Sequence, residues 1–183
     1  LMTRSQFLLL TGIILLSLQC CKNDGLLPEC PDCNLTCIAE GEQDVFSNTC
    51  RNNYTCTFKW QENAQLDYSS NTAAQINPGD KLVFTVRIET DGHEGIADDE
   101  FTDLFYFEID PSMDSFSVES GELNLINARY RQVCYCGDTG LKIPVGCIQG
   151  QRIDANHWQI QANLTIEYAS WTKALKIDAV FVE

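Results

Sequence analysis

The chain has 183 residues, with 26 acidic and 12 basic side chains and a formal net charge of −14. This excess of acid argues against nucleic-acid binding, which needs Lys and Arg to neutralise phosphates, and against an electrostatic attachment to anionic lipid. The length suits one domain with its own hydrophobic core.

The N-terminal segment has the composition of a secretory signal peptide. Arg4 supplies a positive charge, and the apolar run that follows, residues 7–18, is twelve residues long. A membrane-spanning helix needs about 20 apolar residues, so this run is too short for a stable span. We therefore predict that residues 1–20 are a signal peptide that directs export.

The apolar run ends in Leu18-Gln19-Cys20-Cys21. This sequence resembles the lipobox of bacterial lipoproteins, in which a Leu lies three residues before the lipidated Cys and a small residue directly precedes it. The polar residues 22–25 are similar to the tether of Bacteroidetes-type lipoproteins. The resemblance implies a lipid on Cys21 and an extracytoplasmic location on a bacterial outer membrane, on its periplasmic or surface side.

The cysteine count agrees with a modified Cys21. Cleavage before Cys21 and its lipidation leave an even number of cysteines: Cys30, Cys33, Cys37, Cys50, Cys56, Cys134, Cys136 and Cys147. In an exported chain, eight cysteines predict a disulfide framework whose pairing the sequence does not specify. Cys30 and Cys33 are spaced as in metal and redox motifs, but neither a second such pair nor a βαβ pattern accompanies them.

Two regions are predicted after the signal peptide. Residues 21–53 alternate turn formers with cysteines and show no sustained hydrophobic period, so we predict a lipid tether and an irregular Cys-rich segment. From residue 54 the period becomes that of β-strands, and residues 54–183 are predicted to form a β-sandwich domain.

The first half of this domain contains three predicted strands. Apolar and polar residues alternate over residues 54–60 and again over 82–88. The polar residues between them, 61–80, predict a long loop that ends in an Asn-Pro-Gly-Asp turn. Residues 104–109 are almost continuously apolar, which is typical of a strand covered on both faces.

Four more strands are expected in the second half. Residues 116–118 form a weak strand pattern, and residues 123–136 a longer one that is interrupted near Asn127. The clearest alternation covers residues 158–168 and, after a short loop, 175–181. These last two segments predict an antiparallel hairpin with one face in the core.

About seven strands with short connections and no amphipathic helix predict an all-β fold. The expected architecture is an antiparallel β-sandwich of the immunoglobulin-like kind, stapled by disulfides. A small closed β-barrel is the alternative.

The densest acidic stretch, residues 91–103, carries six carboxylates between two predicted strands. Because Ca²⁺ takes roughly six to eight oxygen ligands, the calcium candidates are Asp91, Glu94, Asp98, Asp99 and Asp103. The spacing differs from that of an EF-hand loop. A solvated acidic loop without any cofactor is the interpretation that we prefer.

The residues offer little for catalysis. The chain has only two histidines, and it lacks the Gly-x-Ser-x-Gly, His-Glu-x-x-His and phosphate-binding glycine motifs. Exposed aromatic side chains are better candidates for ligand binding, since a ring can pack on an apolar face and keep a polar edge in water. Trp171 in the last hairpin loop and Tyr68 in the other long loop are the candidates for such residues. The alternative for Trp171 is a ring that folds back over the edge of the core.

We therefore expect a non-catalytic binding or envelope-assembly module, held at the membrane by its lipid and contacting a glycan or an envelope protein. One alternative is a recognition domain of a secreted or surface eukaryotic glycoprotein, with glycans at the Asn-x-Thr sites of Asn34, Asn53 and Asn163. Another is a hydrolase that uses a pair of carboxylates, which only spatial proximity reveals.

Overall fold

A computed structural model describes residues 37, 44–70, 74–90, 100–134 and 140–183. These residues form strands and no helix, so the predicted all-β fold is confirmed. The ten strands are β1 (Val45–Phe46), β2 (Tyr54–Asp67), β3 (Gln75–Pro78), β4 (Lys81–Thr90), β5 (Thr102–Ile109), β6 (Ser115–Glu119), β7 (Arg129–Val133), β8 (Val145–Arg152), β9 (His157–Glu167) and β10 (Thr172–Val182). The predicted signal peptide and Cys21 lie outside the described residues.

The strands follow the order β6-β8-β9-β10-β2-β4-β5-β7, with β1 added to β10 and β3 added to β2. Strands β10 and β2 meet through one parallel pair, Val182 with Lys59, whereas the other neighbours in this order are antiparallel. This narrow junction divides the sheet into a first layer (β6, β8, β9, β10) and a second layer (β2, β4, β5, β7).

Aromatic side chains join the two layers. The ring centroid of Phe84 on β4 lies 5.5 Å from that of Trp158 on β9 and 5.8 Å from that of Phe181 on β10. Phe107 on β5 contacts Phe116 on β6 at 5.8 Å. The layers thus enclose one core, as in a sandwich. In the described strands β6 and β7 do not pair with each other, so the sheet is not closed like the alternative barrel.

The hairpin of β9 and β10 shows how the sequence forms this core. Its register runs from Thr172 opposite Glu167 to Val182 opposite His157, which confirms the predicted hairpin. Because strand side chains alternate between faces, every second residue of β9 from Trp158 onward is fully buried. Burying one large apolar side chain contributes about 1.5–3 kcal/mol to the stability of the fold. The two strands supply many such side chains.

Strand β2 is longer than predicted. It continues to Asp67 through a bulge between Gln61 and Ala64, where the sequence predicted a loop. The bulge brings Ala64 and Leu66 together with Val83 in a small cluster, to which we refer as the outer cluster. Tyr106 of β5 also packs on it. One face of β5 is buried and the other, with Leu104, Tyr106 and Glu108, is half-buried, so the second face is covered only in part.

The segment at residues 123–136 differs from the predicted strand. Residues 120–127 form turns, and only β7 is a strand. Asn127 has φ of 50°, a left-handed conformation that Asn tolerates and that regular strand geometry excludes. The interruption predicted near Asn127 therefore lies at the beginning of the strand and not in its middle.

The domain begins before the predicted boundary at residue 54. Strand β1 pairs with β10 in parallel, with Val45 opposite Lys176. The side-chain amide of Asn48 donates to the carbonyl of Val180 at 2.7 Å and accepts from its N–H at 2.6 Å. The compact unit spans Thr36–Glu183, so part of the predicted Cys-rich segment belongs to it.

Disulfides reinforce this unit. Cys37 is bonded to Cys147, and Cys50 to Cys56; Cys134 is also disulfide-bonded. These bonds confirm the prediction that cysteines of this chain form disulfides. Cys30, Cys33 and Cys136 lie outside the described residues. Disulfides indicate folding in an oxidising, extracytoplasmic environment. In the part of the chain that the structure describes, no helix is long and apolar enough to cross a membrane.

Candidate ligand-binding site

Trp171, one of the two ligand-binding candidates, lies in the turn between β9 and β10 and is 45% exposed. Its ring stacks on Tyr168, with the centroids 3.9 Å apart and the planes 12° from parallel. The N–H of Tyr168 donates to the carbonyl of Trp171 at 2.9 Å, which closes the turn. The exposed ring is thus fixed by stacking and by its own backbone.

Tyr68 is half-buried and does not have the exposure that the sequence predicted. Its ring packs against the outer cluster, and its hydroxyl donates to the carbonyl of Asn127 at 2.9 Å. Burial raises the pKa of Tyr68 above its ordinary value. The side chain holds the end of β2 against the turn before β7. Strand β2 extends to Asp67, so Tyr68 directly follows a strand and does not lie inside the loop predicted over residues 61–80.

Of the five calcium candidates, only Asp103 lies among the described residues. Its carboxylate is 2% exposed and accepts hydrogen bonds from Lys173 Nζ at 2.6 Å, from the hydroxyl of Tyr130 at 2.5 Å and from Gln132 Nε2 at 3.2 Å. Asp103 thus belongs to an internal ion pair rather than to an open acidic loop. Asp91, Glu94, Asp98 and Asp99 lie outside the described residues, and within those described no group of three metal-ligating side chains occurs.

Lys173 of β10 is the cationic partner of Asp103 on β5, and its side chain is 17% exposed. Its ammonium contacts both carboxylate oxygens, at 2.6 and 2.7 Å, and lies 4.2 Å from the ring centroid of Phe101. Loss of solvent lowers the pKa of Lys173, while the charge of Asp103 opposes this shift. The pair connects the two layers at the end of the sandwich where β10 begins.

A cavity of about 220 Å³ opens beside this ion pair. Its lining combines charged and aromatic residues from separate parts of the chain: Asp44, Phe46, Arg51, Tyr54, Phe101, Asp103, Lys173, Ala174 and Lys176. The cavity lies where β10 and β2 are no longer paired. At that position β1, and not β2, pairs with the edge of β10. The separation of β10 from β2 leaves the opening of the cavity.

A second ion pair forms part of this lining. Arg51 Nη1 lies 2.7 Å from Asp44 Oδ1, and the Asp44 side chain is 79% exposed. The guanidinium of Arg51 also stands 4.6 Å from the ring centroid of Phe46. Unlike the pair of Asp103 and Lys173, this pair is open to solvent.

Aromatic rings connect the two ion pairs. The ring centroid of Tyr54 lies 5.4 Å from that of Phe46 and 6.4 Å from that of Phe101. Both contacts are edge-to-face, a favourable geometry for aromatic pairs. Phe46 lies under Arg51 and Phe101 under Lys173, so cations stand over both ends of this row of rings.

The disulfide Cys50–Cys56 positions one wall of the cavity. It closes the short loop that carries Arg51 and Tyr54, and inside this loop the N–H of Tyr54 donates to the carbonyl of Arg51 at 3.1 Å. Asn53 has φ of 66°, which allows the tight turn. The two lining residues therefore belong to a constrained loop.

Sequence patterns do not reveal this cavity, because Asp103 and Lys173 are 70 residues apart. A signal for it exists in the strand patterns. Lys173 occupies the same face of β10 as Leu175 and Ile177, which are buried. A charged residue at a core-facing position predicts a buried partner of opposite charge.

Comparisons with protein-family models, with curated proteins and with solved structures find no match for this chain. No relative therefore assigns a ligand or a reaction to the cavity. Its residues and their contacts are the basis for the function proposed below.

Proposed function

We propose that the chain is a lipid-anchored, non-catalytic binding or assembly module of the cell envelope, and that it binds its ligand at the end formed by the cavity and Trp171. The observation that carries this proposal is the exposed Trp171 ring, fixed on Tyr168. Two residues after Trp171, strand β10 delivers Lys173 to the cavity. The anchor rests on the lipobox resemblance at Cys21.

The fixed orientation of Trp171 suits recognition. Tryptophan and tyrosine provide large contact area for a small loss of conformational entropy, and they dominate the energetics of many binding surfaces. Stacking on Tyr168 restricts the Trp171 ring before any ligand arrives. A preorganised ring loses less entropy on binding, which supports a binding role for this turn.

The charges of the cavity favour binding over hydrolysis. A general base needs a carboxylate oxygen within hydrogen-bond reach of the substrate. Both oxygens of Asp103 contact the ammonium of Lys173, and the carboxylate of Asp44 contacts Arg51. Among the described residues that line the cavity, both acidic groups have a cationic partner, which supports a non-catalytic role.

The anchor is tested by expressing the full-length chain in a Gram-negative host and measuring the intact mass of the membrane-extracted product. We expect a product that begins at Cys21 with acyl chains attached, and we expect Cys21→Ala to abolish the acylation. Reduction should add eight hydrogens if all eight remaining cysteines are paired. An unlipidated product that begins elsewhere would contradict the anchor.

The binding role is tested with the purified lipoprotein in detergent on an array of neutral and acidic oligosaccharides. We expect Trp171→Ala to reduce binding by about tenfold or more, as for a central aromatic contact. Leu125→Ala is the matched control, since Leu125 is 71% exposed and lies in a different turn. Equal binding by all three proteins would exclude the Trp171 end as the binding surface.

A further inference from the structure

We infer that Lys142 is a positioning residue for Trp171, because its ammonium holds the ring of Tyr168 from the side opposite Trp171. This inference rests on the proposed function, in which Trp171 contacts the ligand. Lys142, Tyr168 and Trp171 then form a stack of three side chains, to which we refer as the Trp171 stack. Only the outer face of the indole is open, and the ligand adds to the stack there.

The ammonium of Lys142 lies over the ring of Tyr168, with Nζ 5.5 Å from the ring centroid. This distance is within the roughly 6 Å over which the face of an aromatic ring attracts a cation. The ring of Trp171 lies 3.9 Å from that of Tyr168 and almost parallel to it, so an ammonium has no space on that face. Lys142 therefore occupies the opposite face of Tyr168.

The backbone of Lys142 is held by Tyr130 of β7. The N–H of Lys142 donates to the carbonyl of Tyr130 at 2.7 Å, and its carbonyl accepts from the N–H of Tyr130 at 2.9 Å. These two hydrogen bonds form an antiparallel bridge outside the named strands. The side chain of Lys142 reaches from this bridge to the turn between β9 and β10, so the Trp171 stack connects the second layer with the hairpin of the first.

The turn that carries Tyr168 and Trp171 does little to support the two rings. Ala169 and Ser170 at its tip are exposed, and their side chains are too small to cover an indole. The hydroxyl of Tyr168 is buried, whereas Trp171 is 45% exposed. The inner end of the Trp171 stack is thus enclosed by the domain, and its outer ring is presented to solvent.

Loss of the ammonium should loosen the Trp171 stack by a small but measurable amount. A cation over an aromatic ring at a partly exposed site changes an equilibrium by about two- to fivefold. An indole that has left Tyr168 must be ordered again when the ligand binds, and this loss of entropy lowers the affinity. A variant without the ammonium should therefore bind more weakly by about the same factor.

Tryptophan fluorescence of the purified lipoprotein in detergent reports on the outer ring. The chain has three tryptophans, and Trp60 and Trp158 are only 2% and 0% exposed. Acrylamide in solution should therefore quench Trp171 and leave the other two almost unaffected. Trp171→Ala gives the fluorescence of the two buried rings alone.

Variants of Lys142 test whether its charge positions the indole. We expect Lys142→Met to raise the acrylamide quenching constant of Trp171 by about twofold and to weaken the near-ultraviolet circular dichroism of the Trp171 stack. Lys142→Arg keeps a cation over the ring and should retain the wild-type signals. Lys81→Met is the matched control, since Lys81 pairs with Asp80 and Asp110 and takes no part in the stack.

Lys142 and Tyr168 have further contacts, so a double-mutant cycle is needed to isolate the interaction between them. In a Tyr168→Leu background, which has no ring at this position, Lys142→Met should cause no further change in the quenching of Trp171. In a Tyr168→Phe background, which keeps the ring, the effect of Lys142→Met should persist. Melting temperatures show whether each variant is folded, and the Tyr168→Phe pair gives a result even if Tyr168→Leu is not.

The same variants are then applied to the oligosaccharide array. We expect Lys142→Met to weaken the binding that depends on Trp171 by about two- to fivefold, and Lys142→Arg to preserve it. The inference is overturned if Lys142→Met leaves quenching or binding unchanged, or if Lys142→Arg behaves like Lys142→Met. It is also overturned if Lys142→Met has its full effect without the ring of Tyr168.

The failure of the inference and that of the proposed function are distinguishable. If Trp171→Ala weakens binding and Lys142→Met does not, the inference fails and the proposed function stands. If Trp171→Ala leaves binding to every oligosaccharide on the array unchanged, the proposed function fails and the inference fails with it.

Discussion

The ammonium of Lys173 lies 2.6 Å from a carboxylate oxygen of Asp103, and this contact joins strands from the two layers. Taking both charges out of water is costly, and their attraction offsets that cost only when further hydrogen bonds complete the site. Tyr130 and Gln132 supply these bonds to Asp103. The pair therefore fixes how the layers meet at the end that holds the cavity.

Lys173→Met should destabilise the domain by about 3–5 kcal/mol, because it leaves the buried Asp103 carboxylate without its counter-charge. The double variant Asp103→Leu with Lys173→Met should lose less, since no buried charge then remains unpaired. Urea denaturation of the two variants and the wild type measures the difference. A double variant less stable than the single one would contradict this account.

Alkaline pH should destabilise the fold through its buried phenols. Burial raises the pKa of Tyr68 and Tyr130 above the ordinary value of 10.0, so the folded protein keeps protons that the unfolded chain releases. Their stabilising contribution is complete below pH 10.0 and falls as the pH rises further. Lys173 acts in the opposite sense. Because its pKa lies below the ordinary value of 10.5, its contribution to the free energy of unfolding rises with pH and is constant above pH 10.5.

We therefore expect the urea midpoint to fall steeply above pH 10.5, where the contribution of Lys173 no longer changes. Tyrosinate absorbance of the folded protein should show that Tyr68 and Tyr130 do not ionise at their ordinary value. Tyr68→Phe should give a shallower fall of the midpoint than the wild type. Ionisation of every phenol near pH 10.0 in the folded state would refute the prediction.

The disulfides Cys37–Cys147 and Cys50–Cys56 should contribute unequally to stability. Cys37–Cys147 spans 110 residues and Cys50–Cys56 spans six, and the stabilisation from loop closure grows with loop length. We expect replacement of both cysteines by Ala to cost about 5 kcal/mol for the long loop and about 2 kcal/mol for the short one. Urea midpoints of the two double variants test this, and equal losses would argue against it.

Gly146 should not tolerate a side chain. Its φ is 134°, and a Cβ there would meet the backbone carbonyl of Asn163 on the neighbouring strand. Gly146→Ala should therefore cost about 2 kcal/mol or more, through backbone strain and through displacement of that strand. Gly121→Ala is the matched control, because a Cβ at Gly121 meets nothing within 4 Å, and thermal melting compares the two variants.

Local alternation was sufficient to predict strands such as β9 and β10, because one face of each is buried along its whole length. It failed for the end of β2, where Gln, Asn and Asp surround Ala64 and Leu66 and a bulge changes which residues face inward. The exposure predicted for Tyr68 failed for the same reason. The exposed Trp171, in contrast, follows from its place in a short turn.

The cavity was beyond the reach of sequence patterns because its residues come from distant segments. Asp103 was grouped with its acidic neighbours in the chain, whereas its contacts are with Lys173, Tyr130 and Gln132. Which of several acidic residues turns inward depends on strand register, and register depends on the partner strand. Here Asp103 lies opposite Gln132 of β7, and a single sequence does not reveal that pairing.

The outer edge of β10 is occupied in three different ways: by β1 at Lys176 and Ile177, by the side chain of Asn48 at Val180, and by β2 at Val182. A side-chain amide carries one donor group and one acceptor, as a peptide unit does, so Asn48 substitutes for a residue of a missing strand. An open edge is a template on which a second molecule can add a strand, which leads to aggregation. Asn48 thus protects β10 from self-association, and replacing it by Ala would expose the N–H and carbonyl of Val180 to such addition.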